Sequence, residues 1–178
     1  MIRRRALMTG LAVLLSAATL MAADVRVTPL IAEGQVFASF TAPDAYSQDV
    51  RESVQSGLAT SLTFWVELRQ SSLVWFDRTL ASATVTAAIK YDALTGSFQV
   101  TRMADGQVQS SDRTAREEDV KKWATEFERV KLSNGDGLEP NGEYYVRVRV
   151  RATPRRNFIL WPWGRDDGAG RADFTFIR

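Results

Sequence analysis

Glu143-Tyr144-Tyr145-Val146-Arg147-Val148-Arg149-Val150-Arg151 sets Tyr144, Val146, Val148 and Val150 against Tyr145, Arg147, Arg149 and Arg151. Successive side chains leave a β-strand on opposite faces, so this alternation describes a strand with one face in the core and the other in water. A sheet covered on a single side is characteristically antiparallel. The same period recurs from Leu58 to Gln70, where Leu62, Phe64, Val66 and Leu68 alternate with Thr63, Trp65, Glu67 and Arg69.

Working outward, Val25–Ile31 and Gln35–Thr41 predict a hairpin closed by a short turn containing Gly34. Asp44–Ser56 carries Tyr46, Val50 and Val54 four residues apart and predicts a short amphipathic helix stopped by Gly57. A further strand is expected to begin at Leu73–Phe76 and to run on through Val85, Ala87, Ile89 and Tyr91, with a bend or bulge near Leu80–Ala83. Phe98, Val100 and Arg102 lead into Asp105-Gly106, a dipeptide suited to a type I′ hairpin turn, and Gln107–Ser110 lead out. Thr114-Ala115-Arg116-Glu117 matches a capping box, so a second helix is expected there, burying Val120, Trp123, Ala124, Phe127 and Val130 and ending at Ser133–Gly137. Ala172–Ile177 reads as a closing strand.

The expected architecture is mainly β with two helices (α+β): an antiparallel β-sandwich or strongly curved sheet of seven or eight strands, with the helices packed on one side. Residues 24–178 are expected to form a single globular domain.

The N-terminus reads differently. Arg3, Arg4 and Arg5 precede an apolar run from Ala6 to Ala22, and Asp24 is the first acidic residue. That order is a secretory signal peptide over 1–23, with cleavage after Ala23 and an uncleaved N-terminal membrane anchor as the alternative. The chain is thus expected to be exported, to the periplasm or beyond the cell. Without the three arginines, 20 basic residues face 21 acidic ones, so charge gives no reason to expect nucleic acid as a partner.

The chain of 178 residues has no cysteine and no histidine. This excludes disulfides, thiol nucleophiles, Ser-His-Asp triads and histidine-bound zinc. Carboxylate chemistry remains open. No catalytic, metal, nucleotide or other cofactor motif stands out. Asp166-Asp167-Gly168 lacks the spacing of a calcium loop, and glycine-rich Ser133–Glu139 reads as a turn.

Two groups of residues are candidates for surface contact. Arg147, Arg149 and Arg151 place like charges about 7 Å apart on one sheet face, continued by Arg155 and Arg156. They suit an anionic surface unless acids on neighbouring strands, such as Glu67, balance them. The second group is Trp161 and Trp163, with Arg165, in Phe158–Gly164 and its flank, a mixture suited to a membrane interface or a partner protein unless the loop folds back as a cap.

The opening Val25-Arg26-Val27, the helix leading into Ser56-Gly57-Leu58, the strand Leu62-Thr63-Phe64-Trp65-Val66-Glu67-Leu68, the strand containing Tyr91, Leu138–Tyr145 and the final Phe158–Trp163 follow one another in a recognisable order. This order resembles the domain of unknown function 4390 family of exported bacterial proteins, over nearly the whole chain after the leader. The resemblance implies a cell-envelope role and carries over no functional residue. The expected function is a non-enzymatic envelope protein binding a partner protein or the membrane surface. The alternatives are an envelope polysaccharide hydrolase or lyase using two carboxylates, and a binder of small apolar ligands in the sandwich interior or beneath Val120–Val130.

Overall fold

Alternate β-branched and aromatic residues make ten strands in the computed structural model, which describes residues 23–72, 76–153 and 168–177. In chain order these are β1 (Ala23–Asp24), β2 (Arg26–Ala32), β3 (Gln35–Thr41), helix α1 (Gln48–Gln55), β4 (Thr60–Gln70), β5 (Arg78–Asp92), β6 (Ser97–Ala104), β7 (Gln107–Thr114), helix α2 (Glu117–Thr125), β8 (Glu126–Ser133), β9 (Glu143–Thr153) and β10 (Gly168–Thr175). Six of them form an antiparallel sheet in the order β10-β9-β4-β5-β6-β7, with the two-residue β1 added in parallel beside β10. The other three form a smaller antiparallel sheet, β2-β3-β8. The fold is therefore a mainly β, two-sheet sandwich with two small helices, as its alternation implies.

The core lies between the sheets. Leu62, Phe64, Val66 and Leu68 of β4 and Val146, Val148 and Val150 of β9 are completely buried beneath Val36, Ala38 and Phe40 of β3. The rings of Phe40, Phe64 and Phe127 meet with centroids 5.0–5.1 Å apart, filling the middle of the sandwich. Val50 and Val54 of α1 and Val120 and Ala124 of α2 join the same cluster, so both helices sit on the side of the large sheet that carries the small one.

The predicted hairpins form with their turns in the left-handed region that a type I′ geometry requires, at Glu33-Gly34 and Asp105-Gly106. The bend expected near Leu80 is a bulge: Leu68 pairs with Ala81 and Arg69 with Thr79, which leaves Leu80 unpaired. β5 itself begins at Arg78. Leu73–Trp75 lie outside the described residues, and Phe76 is exposed ahead of Arg78.

The helices depart from expectation in instructive ways. Ser47, in extended backbone, accepts a bond from the Val50 N–H at its Oγ, so the first helix is a short 3-10 turn at Pro43–Ala45 followed by α1 rather than one helix from Asp44. The capping box of the second helix does not form. Thr114 donates its hydroxyl to Asp119 (2.9 Å), Glu117 turns to Arg51 of α1 (2.6 Å), and the helix starts only at Glu117. It also stops at Thr125. Phe127 and Val130 belong to β8, where Arg129 adopts φ +51° and gives its N–H to Ser39 Oγ. This bulge shifts the strand's parity, so two inward residues stand three apart and imitate a helical stripe. Arg102 caps the junction, donating to the Trp123 and Glu126 carbonyls (2.7 and 3.2 Å) that the ended helix leaves open.

The closing strand begins at Gly168, four residues earlier than expected. Gly170 is required there, because a Cβ would run into the Val25 carbonyl where the chain crosses beside β1. No helix among the described residues is long and apolar enough to cross a membrane.

Candidate functional site

The alternation that buries one face of β4 and β9 exposes the other. Register places Trp65 opposite Arg149, Glu67 opposite Arg147 and Arg69 opposite Tyr145. On the far side of β9, Arg171 of β10 faces Arg147 and Asp173 faces Tyr145. Thr63, Arg151 and Ala169 complete this outer face, which the small sheet and helices leave uncovered.

Most of its cations are answered locally. Arg149 donates to Glu67 (2.8 Å), the balance expected from the neighbouring strand, and Arg151 lies over the Trp65 ring (5.3 Å). Tyr145 is the anchor. Its ring lies between Arg171 (3.7 Å) and Arg69 (5.8 Å), and its hydroxyl donates to Asp77 (2.7 Å). Burial raises the Tyr145 pKa, and the bond to the Asp77 carboxylate raises it further. The same bond, with one from the Ser72 N–H, holds Asp77 below the usual carboxylate range. Arg69 also donates to the Asp77 carbonyl (3.0 Å), tying the end of β4 to the segment before β5.

Of the residues singled out by sequence, Arg147, Arg149 and Arg151 share this face. Arg155, Arg156, Trp161, Trp163 and Arg165 lie outside the described residues, as does the leader up to Met21-Ala22. Four contributors were not singled out: Trp65, Arg69, Tyr145 and Arg171. The first three were visible as the non-core face of their strands, but only pairing brings β4 and β9 together and buries Tyr145. Arg171 sits in a glycine-rich stretch whose strand character the alternation does not announce.

Away from this face the larger concavities among the described residues lie beside the helices and β8. A cleft of about 600 Å³ between α1 and α2 is lined by Tyr46, Arg51, Arg116 and Glu117, among others. A groove of about 490 Å³ separates β8 from β5, β6 and β7. No group of three or more Asp and Glu residues able to hold a metal occurs among the described residues. Three aspartates with shifted acidity, Asp77, Asp92 and Asp119, all shift downward, through hydrogen bonds they accept. None has the raised pKa that a general acid requires.

Fold and face together define a two-sheet antiparallel protein that presents an arginine-and-aromatic surface. The chain belongs to the family described as domain of unknown function (DUF4390), whose model matches residues 19–155. The match ends before the Trp161–Trp163 segment, so the family likeness covers less of the C-terminal end than the sequence order suggested. No curated protein and no solved structure matches the chain.

Proposed function

We infer that this chain is an exported cell-envelope protein that catalyses no reaction and binds a partner protein through the outer face of its large sheet. The observation carrying the reading is the clustering of five arginines and the half-buried Trp65 on one sheet face, over a Tyr145 ring that is itself buried, with the reverse side committed to the core. Arginine and large aromatic residues are the types enriched at interface centres, because they combine contact area with directed hydrogen bonds. A positive surface favours a partner with an acidic patch. Export is supported by the charged-then-apolar leader. Cleavage after Ala23 would take only one residue from β1 and leave Asp24 paired with Ala169 and Val25 buried.

The test is site-specific photo-crosslinking in the native cells, with benzoylphenylalanine placed at Thr63 or Thr175 on the outer face and at the exposed turn residue Leu94 as control. One acidic envelope protein, identified by mass spectrometry, crosslinking from both outer positions and not from Leu94, is the expected result. Crosslinks to lipid alone would assign the face to the membrane surface, and equal yields from all three sites would remove the docking reading. Terminal sequencing of the cell-derived protein should begin at Asp24.

A further inference from the structure

Among the described residues of β4, β9 and β10, one cation on the outer face is not answered. Arg147 stands directly opposite Glu67, where a cross-strand ion pair belongs, yet that carboxylate accepts from Arg149 instead. On its other side Arg147 faces Arg171 across the β9–β10 ladder. Like charges directly opposite one another in an antiparallel pair destabilise it. Arg171 turns away to Asp173, giving both its Nε and its Nη2 to the single oxygen Oδ1. Among the described residues Arg147 makes no hydrogen bond, ion pair or ring contact. Beside the two guanidinium groups lies a concavity of about 270 Å³, bordered by Tyr145, Ala169 and Gly170 and free of any carboxylate.

We propose that Arg147 and Arg171 form a two-arginine clamp for a carboxylate, the point at which an Asp or Glu side chain of the docked partner is received. The partner in this proposal rests on the outer-face reading above, while the clamp rests on its own geometry. A carboxylate is the anion this face already takes, at Glu67 and Asp173. A guanidinium offers parallel N–H donors that fit its two oxygens. An incoming carboxylate removes the repulsion between Arg147 and Arg171, and Arg171 meets it with the Nη1 that Asp173 does not use.

The purified protein, labelled with ¹⁵N-arginine, is titrated with a blocked tetraglutamate peptide at low salt, and in parallel with inorganic phosphate, while the arginine Nε–H signals are followed by NMR. The expected result is a saturable shift of Arg147 and Arg171, with Arg51 in the helix–helix ion pair unmoved. Arg147→Ala should weaken binding roughly tenfold, with its thermal unfolding unchanged or slightly raised as the repulsion from Arg171 goes, and Arg147→Lys, which keeps the charge but not the fork, should fall between in binding. Uniform, unsaturable shifts of every exposed arginine would overturn the clamp, and so would a response to phosphate with none to the peptide. Crosslinking separates the two readings. Unchanged crosslinks from Thr63 in Arg147→Ala would overturn the clamp and leave the docking face standing. Peptide binding without any outer-face crosslink would do the reverse.

Discussion

The two faces of β4 and β9 are built from alternate residues of the same strands, yet they are held by different physics. Inward, Leu62, Phe64, Val66, Leu68, Val146, Val148 and Val150 lose all contact with water, and their stabilisation grows with buried apolar area and tight packing. Outward, Trp65, Glu67, Arg149 and Arg151 stay partly wetted, with Arg149 paired to Glu67 and Arg151 over the Trp65 ring, and only Tyr145 is closed off from water. The inner face therefore fixes the fold, while the outer face can vary without unfolding the chain. A surface of that kind is suited to recognition. The strongest challenge to this contrast is Phe64→Ala, which empties the centre of the Phe40–Phe64–Phe127 cluster. It should cost about 3–5 kcal/mol in urea denaturation, and a loss of about 1 kcal/mol or less would show that the inner face does not carry the fold.

Gly170 tests the inner face at its margin. A methyl group there collides with backbone rather than with a flexible side chain, so Val25 and β1 must move. Gly170→Ala should cost about 1–3 kcal/mol and strip the amides beside Val25 of hydrogen-exchange protection, while those of β4 stay protected.

The helix pair lies between these extremes, half core and half polar. Tyr46 is pushed up to about 12, first by burial and then by the nearby Glu117 carboxylate, against the opposing effect of Arg51. Its raised folded-state pKa means that the stability it contributes is intact below pH 10 and is lost as pH climbs from about 10 to 12. Tyr46→Phe should flatten the stability profile in that window, leaving the smaller decline due to Tyr145. An unchanged profile would place the Tyr46 phenol in water. At the start of α1, Ser47→Ala removes the side-chain cap and should cost about 1 kcal/mol by denaturant titration.

What could be read in advance follows the same division. The strands of the large sheet announce themselves because burial on one face imposes a strict period of two, and the hairpins because Glu33-Gly34 and Asp105-Gly106 supply the backbone their turns need. Misreading began where three-residue spacing had a second cause. Phe127 and Val130 look helical in sequence, but the Arg129 bulge in β8 produces that spacing within a strand. Thr114 looked like a cap, but its hydroxyl had a better partner in Asp119. Of the site, the row Arg147–Arg149–Arg151 was legible within one strand. Its meaning was not, because which arginine meets Glu67 and which meets another arginine depends on the order and register of β10, β9 and β4.

The smallest expected effect is the most pointed test of the outer face. Glu67→Gln keeps the shape of the side chain and a carbonyl acceptor for Arg149, and it removes only the charge. Because Arg149 is about 31% and Glu67 about 18% exposed, water and salt screen the pair, and the loss should stay below about 1 kcal/mol. It should shrink further as sodium chloride rises from about 0.05 to about 1 M, since screening weakens the interaction that was removed. A loss of about 3 kcal/mol or more that ignored salt would mean that the charge is buried and structural. The outer face would then be a second core, and the contrast that makes it a recognition surface would fail at its centre.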